Sequence, residues 1–191
     1  MAEESFMVTK LIFIMLFIAL FVLTLLVIVI NKLSYAGCMG TTVNDVKIFT
    51  GHLRQVTSTP QKFPIILKDC IDRVIISNEL YNVLYKNVKV KCKTGDYSYI
   101  AVYKKDFGFW SSLAFWDRPI DKYISKDSYC ESLKNVEFNM GNYKNIVLKG
   151  PSKKGDVVIY CLTYTVTKTP AGKTIINLDK PEIVVSEGEC R

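Results

Sequence analysis

The chain has 191 residues, with 25 lysines and arginines against 18 acidic residues, one histidine, six cysteines and a formal charge of +7. A single histidine excludes a histidine-rich metal centre and leaves only His52 as the base of a Ser–His–Asp or Cys–His arrangement. The lysines are scattered, with no basic stripe, zinc-finger spacing or aromatic RNA-binding signature, so nucleic acid is not an expected partner.

Residues 1–10 read as a short cytoplasmic tail. Residues 11–30, LIFIMLFIALFVLTLLVIVI, hold one Thr and no charge, Gly or Pro. About 20 apolar residues at 1.5 Å each match a hydrocarbon core of roughly 30 Å, and a helix satisfies its own backbone there. The expected partner of Leu11 to Ile30 is therefore a lipid bilayer. Three readings compete: a retained single-pass anchor, a secretory signal cut after Ala36, and a lipoprotein signal ending at Cys38. Signal peptides carry apolar cores of about 7–15 residues, and this run is longer. Asn31-Lys32 also separates it from either cleavage site, and Tyr35 departs from the aliphatic residue that begins a lipobox. The anchor is the preferred reading. Residues 31–40 form the expected juxtamembrane linker, where Gly37 and Gly40 should end any helix.

The first 32 residues are neutral by side chains (Glu3, Glu4, Lys10, Lys32), so the charge of +7 belongs to the remainder. About 159 residues remain, enough for one core and too few to argue for two domains. All six cysteines lie here: Cys38, Cys70, Cys92, Cys130, Cys161 and Cys190. Their even number and gaps above twenty residues point to disulfides in an oxidising compartment and away from zinc, which favours tight pairs. Cys70 with Cys92 and Cys38 with Cys190 are the preferred pairings among the 15 possible. The basic near flanks mildly oppose export, but large domains translocate largely regardless of charge, and the cysteines favour the outside.

Residues 41–56 read as a helix on the domain or a strand. Ser58-Thr59-Pro60 reads as a turn, and 63–67 as an edge strand because Pro64 interrupts it. Residues 71–77 are rich in β-branched side chains. Residues 78–86 are ambiguous. Residues 87–93 alternate and pair, by expectation, with 97–104 across Thr94-Gly95-Asp96. Residues 120–133 are polar and helix-compatible. Strands follow at 135–140, 145–149, 156–167, 173–178 and 182–186, with turns at 150–155 and 169–172. The expected fold is an N-terminal transmembrane helix plus a β-rich (α+β), disulfide-stapled domain over 41–191, an antiparallel sheet or sandwich.

Few residues carry chemistry. Ala171-Gly172-Lys173-Thr174 lacks the earlier Gly of a phosphate loop, since Thr167 stands there, and reads as a hairpin turn. No catalytic residue, metal ligand or cofactor is expected. The aromatic block 106–116, DFGFWSSLAFW, is either a short helix packed into the core or a contact patch made of Phe107, Phe109, Trp110, Phe115 and Trp116 with Arg118. None of the ten asparagines begins an N-x-Ser/Thr acceptor.

The expectation is a non-enzymatic binding or structural-assembly domain, held by its anchor outside the cytoplasm at a cell or virion surface. Its partner would be a protein or a surface polymer, with anionic groups suited to the basic charge. The alternatives are a pilin-like filament subunit, opposed by Gly37–Gly40 and the lack of a cleavage site near Lys10-Leu11, and a surface hydrolase or thiol-oxidoreductase, opposed by the lone histidine and the absence of C-x-x-C.

Overall fold

The computed structural model describes residues 2–84, 92–105, 128–153 and 155–190; within the first 38 residues, side chains are described at 9–30 and 37. The order is helix α1 (Ala2–His52), β1 (Thr57–Lys68), β2 (Ile71–Ser77), a one-turn helix α2 (Leu80–Val83), β3 (Tyr97–Lys104), β4 (Tyr129–Lys134), β5 (Val136–Asn139), β6 (Asn145–Lys149), β7 (Val157–Lys168), β8 (Thr174–Leu178), β9 (Glu182–Val184) and a terminal 3-10 turn, Glu187–Cys190.

α1 runs unbroken for 51 residues, so Gly37 and Gly40 do not end it. A glycine inside a helix costs about 0.5–1 kcal/mol, too little to stop a helix whose later turns are packed. Thr9–Ile30 is long and apolar enough to cross a membrane and is entirely unburied by the rest of the chain; an N-terminal signal sequence has the same character. From Met39 onward the same helix belongs to the core. Val46 and Phe49 are fully buried and Leu53 nearly so. Phe49 stacks against Phe63 and meets Tyr164 edge-on, both with centroids 5.3 Å apart.

The strands form two sheets. In the first, β7 pairs with β1 along one edge and with β8 and β9 along the other, and β5 joins β8. The β5–β8 pair is parallel, an exception to the expected antiparallel order. The second sheet is antiparallel throughout, in the order β4-β3-β2-β6. One core lies between the sheets, built from Ile65, Leu67, Leu162, Val166 and Ile176 on one side and Val74, Ile76, Ile100, Val102 and Leu148 on the other. Alternation sends Ile75, Tyr99, Ala101 and Tyr103 to the opposite face of the second sheet, where Leu80 and Val83 of α2 and the Cys92–Cys130 pair cover them.

Several local expectations give way. Ser58-Thr59-Pro60 lies within β1, at a shift in register between Thr57 and Gln61. Such an irregularity accommodates a proline that cannot donate. β1 is an edge strand, as Pro64 requires. Residues 129–133 are strand, not helix, because Leu133 reaches the core and Cys130 bonds to Cys92. The run 87–93 falls largely outside the described residues, and β3 takes β2 and β4 as its neighbours instead.

The cysteines pair as Cys92–Cys130 and Cys161–Cys190, each with Cα atoms 5.4 Å apart, and Cys70 is also disulfide-bonded. The preferred pairings Cys70–Cys92 and Cys38–Cys190 are therefore wrong. Cys70–Cys92 was drawn from proximity and Cys38–Cys190 from their bracketing the domain; the fold instead sets Cys92 beside Cys130 of β4, and Cys161 of β7 beside Cys190 of the terminal turn.

β1 runs back along α1. Thr42 contacts Ile66, whereas His52 lies by Phe63, so the β1 terminus at Lys68 points toward the apolar stretch. The domain thus has a span-side end, with the Asp69-Cys70 turn, the 150–156 loop and residues 185–190. Its far end carries α2, the β4–β5 bend and the β7–β8 turn.

At the span-side end Gly150 donates to the Asp72 carbonyl at 2.7 Å, and a methyl on Gly150 would overlap the Ile71 carbonyl, its carbon at 2.8 Å. A methyl on Gly40 meets nothing within 4 Å. Thermal melts should show Gly150→Ala losing about 3 kcal/mol or more, and Gly40→Ala gaining about 0.5–1 kcal/mol. Equal effects would show that Gly150 is not held against β2.

Candidate functional site

The proposed contact patch of Phe107, Phe109, Trp110, Phe115, Trp116 and Arg118 lies outside the described residues. Its flanks are described: Lys105 follows β3 and Ser128 precedes β4, both at the span-side end. Lys105 is 2% exposed; its backbone N–H donates to the Cys70 carbonyl and its ammonium to the Pro151 carbonyl.

His52 ends α1 against the Phe63 ring, centroids 5.5 Å apart, which is packing geometry. The Ala171–Thr174 stretch is the β7–β8 turn. Gly172 donates to the Thr169 carbonyl at 2.9 Å and takes φ +78, and Thr169 donates to the Lys173 carbonyl. These bonds hold a hairpin, not a phosphate cradle. Among the described residues no three His, Cys, Asp or Glu side chains converge on a metal position.

A cleft at the far end, with a volume of about 540 Å³, is lined by Asn78, Asp96, Tyr97, Asn135, Glu137 and Lys173 among others. It forms where the chain passes from the second sheet to the first between β4 and β5. Asn135 makes that bend with φ 57, a left-handed conformation that asparagine tolerates better than most residues. Its carbonyl accepts from Thr174 at 2.9 Å. Glu137 and Lys173 form a half-exposed ion pair at 2.6 Å, worth under about 1 kcal/mol.

The floor of this cleft is a hydrogen-bonded clamp. The Asn78 amide donates to the Phe138 carbonyl and accepts from the Phe138 N–H, both at 2.8 Å. Ser98 donates to the Asn78 side-chain oxygen at 2.9 Å and lies 2.6 Å from the Val136 carbonyl. Asn78 thus acts as a strand partner for the open edge of β5. The side chains not engaged in the clamp, Asp96, Tyr97, Glu137 and Lys173, offer charge of both signs and one aromatic group. That set can donate and accept hydrogen bonds and contains no nucleophile–base pair.

A second polar cluster ties α1 to β1. Thr42, fully buried, donates to the Ile66 carbonyl at 3.0 Å, and the Asp45 carboxylate accepts from the Ile66 backbone. Asp45 Oδ2 is buried without a hydrogen-bond partner. Burial raises the Asp45 pKa; the Ile66 bond opposes this, Glu187 adds to it and Lys68 opposes it. Burial likewise pushes the Tyr103 hydroxyl up to about 12, and Tyr129, which donates to Glu131, is raised by burial and by that carboxylate. Lys47 lies 5.6 Å from the Tyr129 ring centroid, adding a cation–π contact between α1 and β4.

Comparison with protein-family models, with curated proteins and with solved structures returned no match. The site residues are therefore read from geometry alone. Asn78, Ser98, Thr42 and Asp45 escaped sequence reasoning because short polar residues carry no pattern that separates an edge clamp from a turn. The bend at Asn135 was missed as well, since that residue was read as the first of a strand over 135–140.

Two outcomes are expected. Asn78→Ala strands the Phe138 N–H and C=O and should lower the unfolding free energy in urea by about 2–4 kcal/mol. Asp45 has a folded pKa above its unfolded value, so its charge penalty is complete above the folded pKa and is relieved as pH falls through it. Asp45→Asn should therefore melt above the parent at pH 7, with the gap closing as the pH falls through the carboxylate range. A constant gap would show that ionisation is not its cause.

Proposed function

We propose that this chain is a membrane-anchored, extracytoplasmic module for binding or structural assembly at a cell or virion surface, with its N-terminus in the cytoplasm and no catalytic activity of its own. One observation carries the reading: α1 passes without a break from a bare apolar stretch into the core of a disulfide-bonded domain. The first part of the helix needs lipid or an equivalent apolar cover, and the cysteine pairing fits an oxidising compartment.

The bilayer is the first partner, through Leu11 to Ile30. The second is a protein or a surface polymer whose anionic groups suit the basic charge. It meets either the aromatic block with Arg118, whose described flanks Lys105 and Ser128 lie at the span-side end, or the polar cleft at the far end. A pilin-like filament subunit is the second reading, and the 51-residue helix favours it, because no break now separates the apolar part from a stalk. There the apolar stretch would be covered by other copies instead of lipid.

Trypsin added to intact cells should remove the domain and spare an N-terminal epitope tag, and non-reducing mass spectrometry should find no alkylatable thiol. A domain shielded until lysis overturns the orientation. Gentle detergent extraction separates the two readings: an anchored module leaves as a small discrete species, and a filament subunit leaves as a polymer. Replacing both Cys161 and Cys190 by Ala should cost roughly 3.5 kcal/mol, from the loop that the bridge closes.

A further inference from the structure

We propose that the groove between β6 and β9 receives an extended peptide strand of a partner protein, with alternating apolar residues and a surplus of acidic ones, added to the outer edge of β6. This inference rests on the binding reading above and gives that module a further site; it does not depend on the membrane placement.

β6 is the last strand of its sheet. Gly150, just after it, donates to the Asp72 carbonyl of β2, so the even positions of this run turn their backbone groups toward β2. The odd positions turn theirs outward. Lys149 follows that alternation: its N–H and C=O are both taken by the Tyr160 hydroxyl, which arrives from the other sheet. Tyr160 does for Lys149 what a neighbouring strand would do. The outward groups of Asn145 and Val147 meet no such partner among the described residues.

The facing sheet is uncovered at the same place. Ile183 of β9 is in register with Tyr160, so both side chains leave their sheet on the side that faces β6. Tyr160 is covered by β6, whose Lys149 it reaches; Ile183 stands one strand further out and is 69% exposed. Packed sheets lie about 10 Å apart and neighbouring strands about 4.8 Å apart, so one more strand beside β6 would lie over Ile183. The space for it is present. Three adjoining clefts of about 390, 190 and 440 Å³ follow β6 from Tyr143 to Lys153. The middle one is lined by Asn145 and Val147 themselves, together with Tyr160 and Pro181. β6 has five residues, so the added strand has about 17 Å of edge to follow.

The lining sets the chemistry of the occupant. An extended polypeptide carries donors and acceptors at the spacing of the open edge, which a lipid or a glycan does not. Its inward side chains would be apolar, against Ile183 and Pro181. An outward one would pack beside Val147, which lies on the face of β6 opposite the core residues Ile146 and Leu148. The rim sets the charge. Lys144, Lys149, Lys153 and Lys180 stand around the groove against Asp156 and Asp179. A second copy of this chain, paired through its own β6, would bring its lysines against that rim, whereas an acidic strand complements it.

The test uses the full chain, oxidised and in detergent micelles, with a displayed library of random decapeptides as the probe. Panning should enrich peptides in which apolar residues alternate and acidic residues outnumber basic ones. When an enriched peptide is synthesised and added, hydrogen exchange at the Asn145 and Val147 amides should slow by about tenfold or more, with the amides around the far-end cleft unchanged. Val147→Pro removes an outward N–H, which an edge strand tolerates, and should weaken the peptide by about tenfold. N-methylation of the peptide at alternate residues leaves the protein untouched: one of the two alternating sets should abolish binding, and the other should change it little. Loss with both sets, or with neither, overturns strand addition. Peptides that protect only the far-end cleft, or a library that yields no binder, overturn this groove and leave standing the binding reading, which has other surfaces. A Val147 amide as protected as that of Leu148 in the free monomer shows the edge already filled and overturns the inference. The same protection appearing with dimerisation overturns it in favour of a second copy.

Discussion

A backbone N–H or C=O on the outer edge of a sheet must meet water or find a partner, and two small sheets facing each other have four such edges. In this domain other parts of the chain supply contacts at β1, β5, β6 and β4, while the short β9 keeps one open edge. Thr42 and Asp45 of α1 take both backbone groups of Ile66 on β1. Asn78 takes both backbone groups of Phe138 on β5. The Tyr160 hydroxyl of β7 donates to the Lys149 carbonyl on β6 at 3.0 Å and accepts from its N–H at 3.1 Å. On β4, Cys130 is bonded to Cys92, and the next residue, Lys93, donates to Ser132 at 3.1 Å. Three of these contacts join one sheet, or the segments flanking it, to the other elements, so closing the edges also fixes how the layers sit on one another.

The α1 clamp has a further consequence. A helix that merely delivered a domain to a membrane would not need to enter its core. Here Val46 and Phe49 do so, and Thr42 and Asp45 bind the β1 edge on the same turns. Pulling α1 away would expose a fully buried phenylalanine and strand two backbone groups of β1. Location and fold are therefore coupled: whatever holds the apolar stretch also holds one wall of the domain. The partnerless oxygen of Asp45 is the weak point of that joint, because burial opposes its charge.

Much of the architecture was written in local pattern. The uninterrupted hydrophobicity of 11–30 marks the bare helix, and the β-branched run of 156–167 marks β7, the strand that three others pair with. Thr169-Pro170-Ala171-Gly172 marks the hairpin that follows. What pattern could not supply was anything decided by tertiary contact. Gly37 and Gly40 lie in helix because packing beyond them outweighs a small propensity loss. Residues 129–133 are strand because Leu133 has a core to fill. Cysteine partners were set by sheet order, not by sequence distance. The clamp residues depend on strand edges whose positions only the folded topology defines.

The apolar stretch itself bears on the choice between lipid and a bundle of copies. Its side chains from Leu11 to Leu26 are mostly more than half exposed, so something must cover them in water. Close packing of helices in the absence of water depends on small residues that let backbones approach, or on polar groups that bond across the interface. Between Leu11 and Ile30 the small or polar positions are Ala19 and Thr24. Thr24 already donates to the Phe21 carbonyl of its own helix at 2.7 Å. The rest are Leu, Ile, Val, Phe and Met, spread around the helix without a favoured face. Lipid chains conform to such a surface at any rotation of the helix, whereas a neighbouring helix would need a matching groove. The chemistry of the stretch therefore favours the bilayer over a filament core, even though the length of α1 suits both.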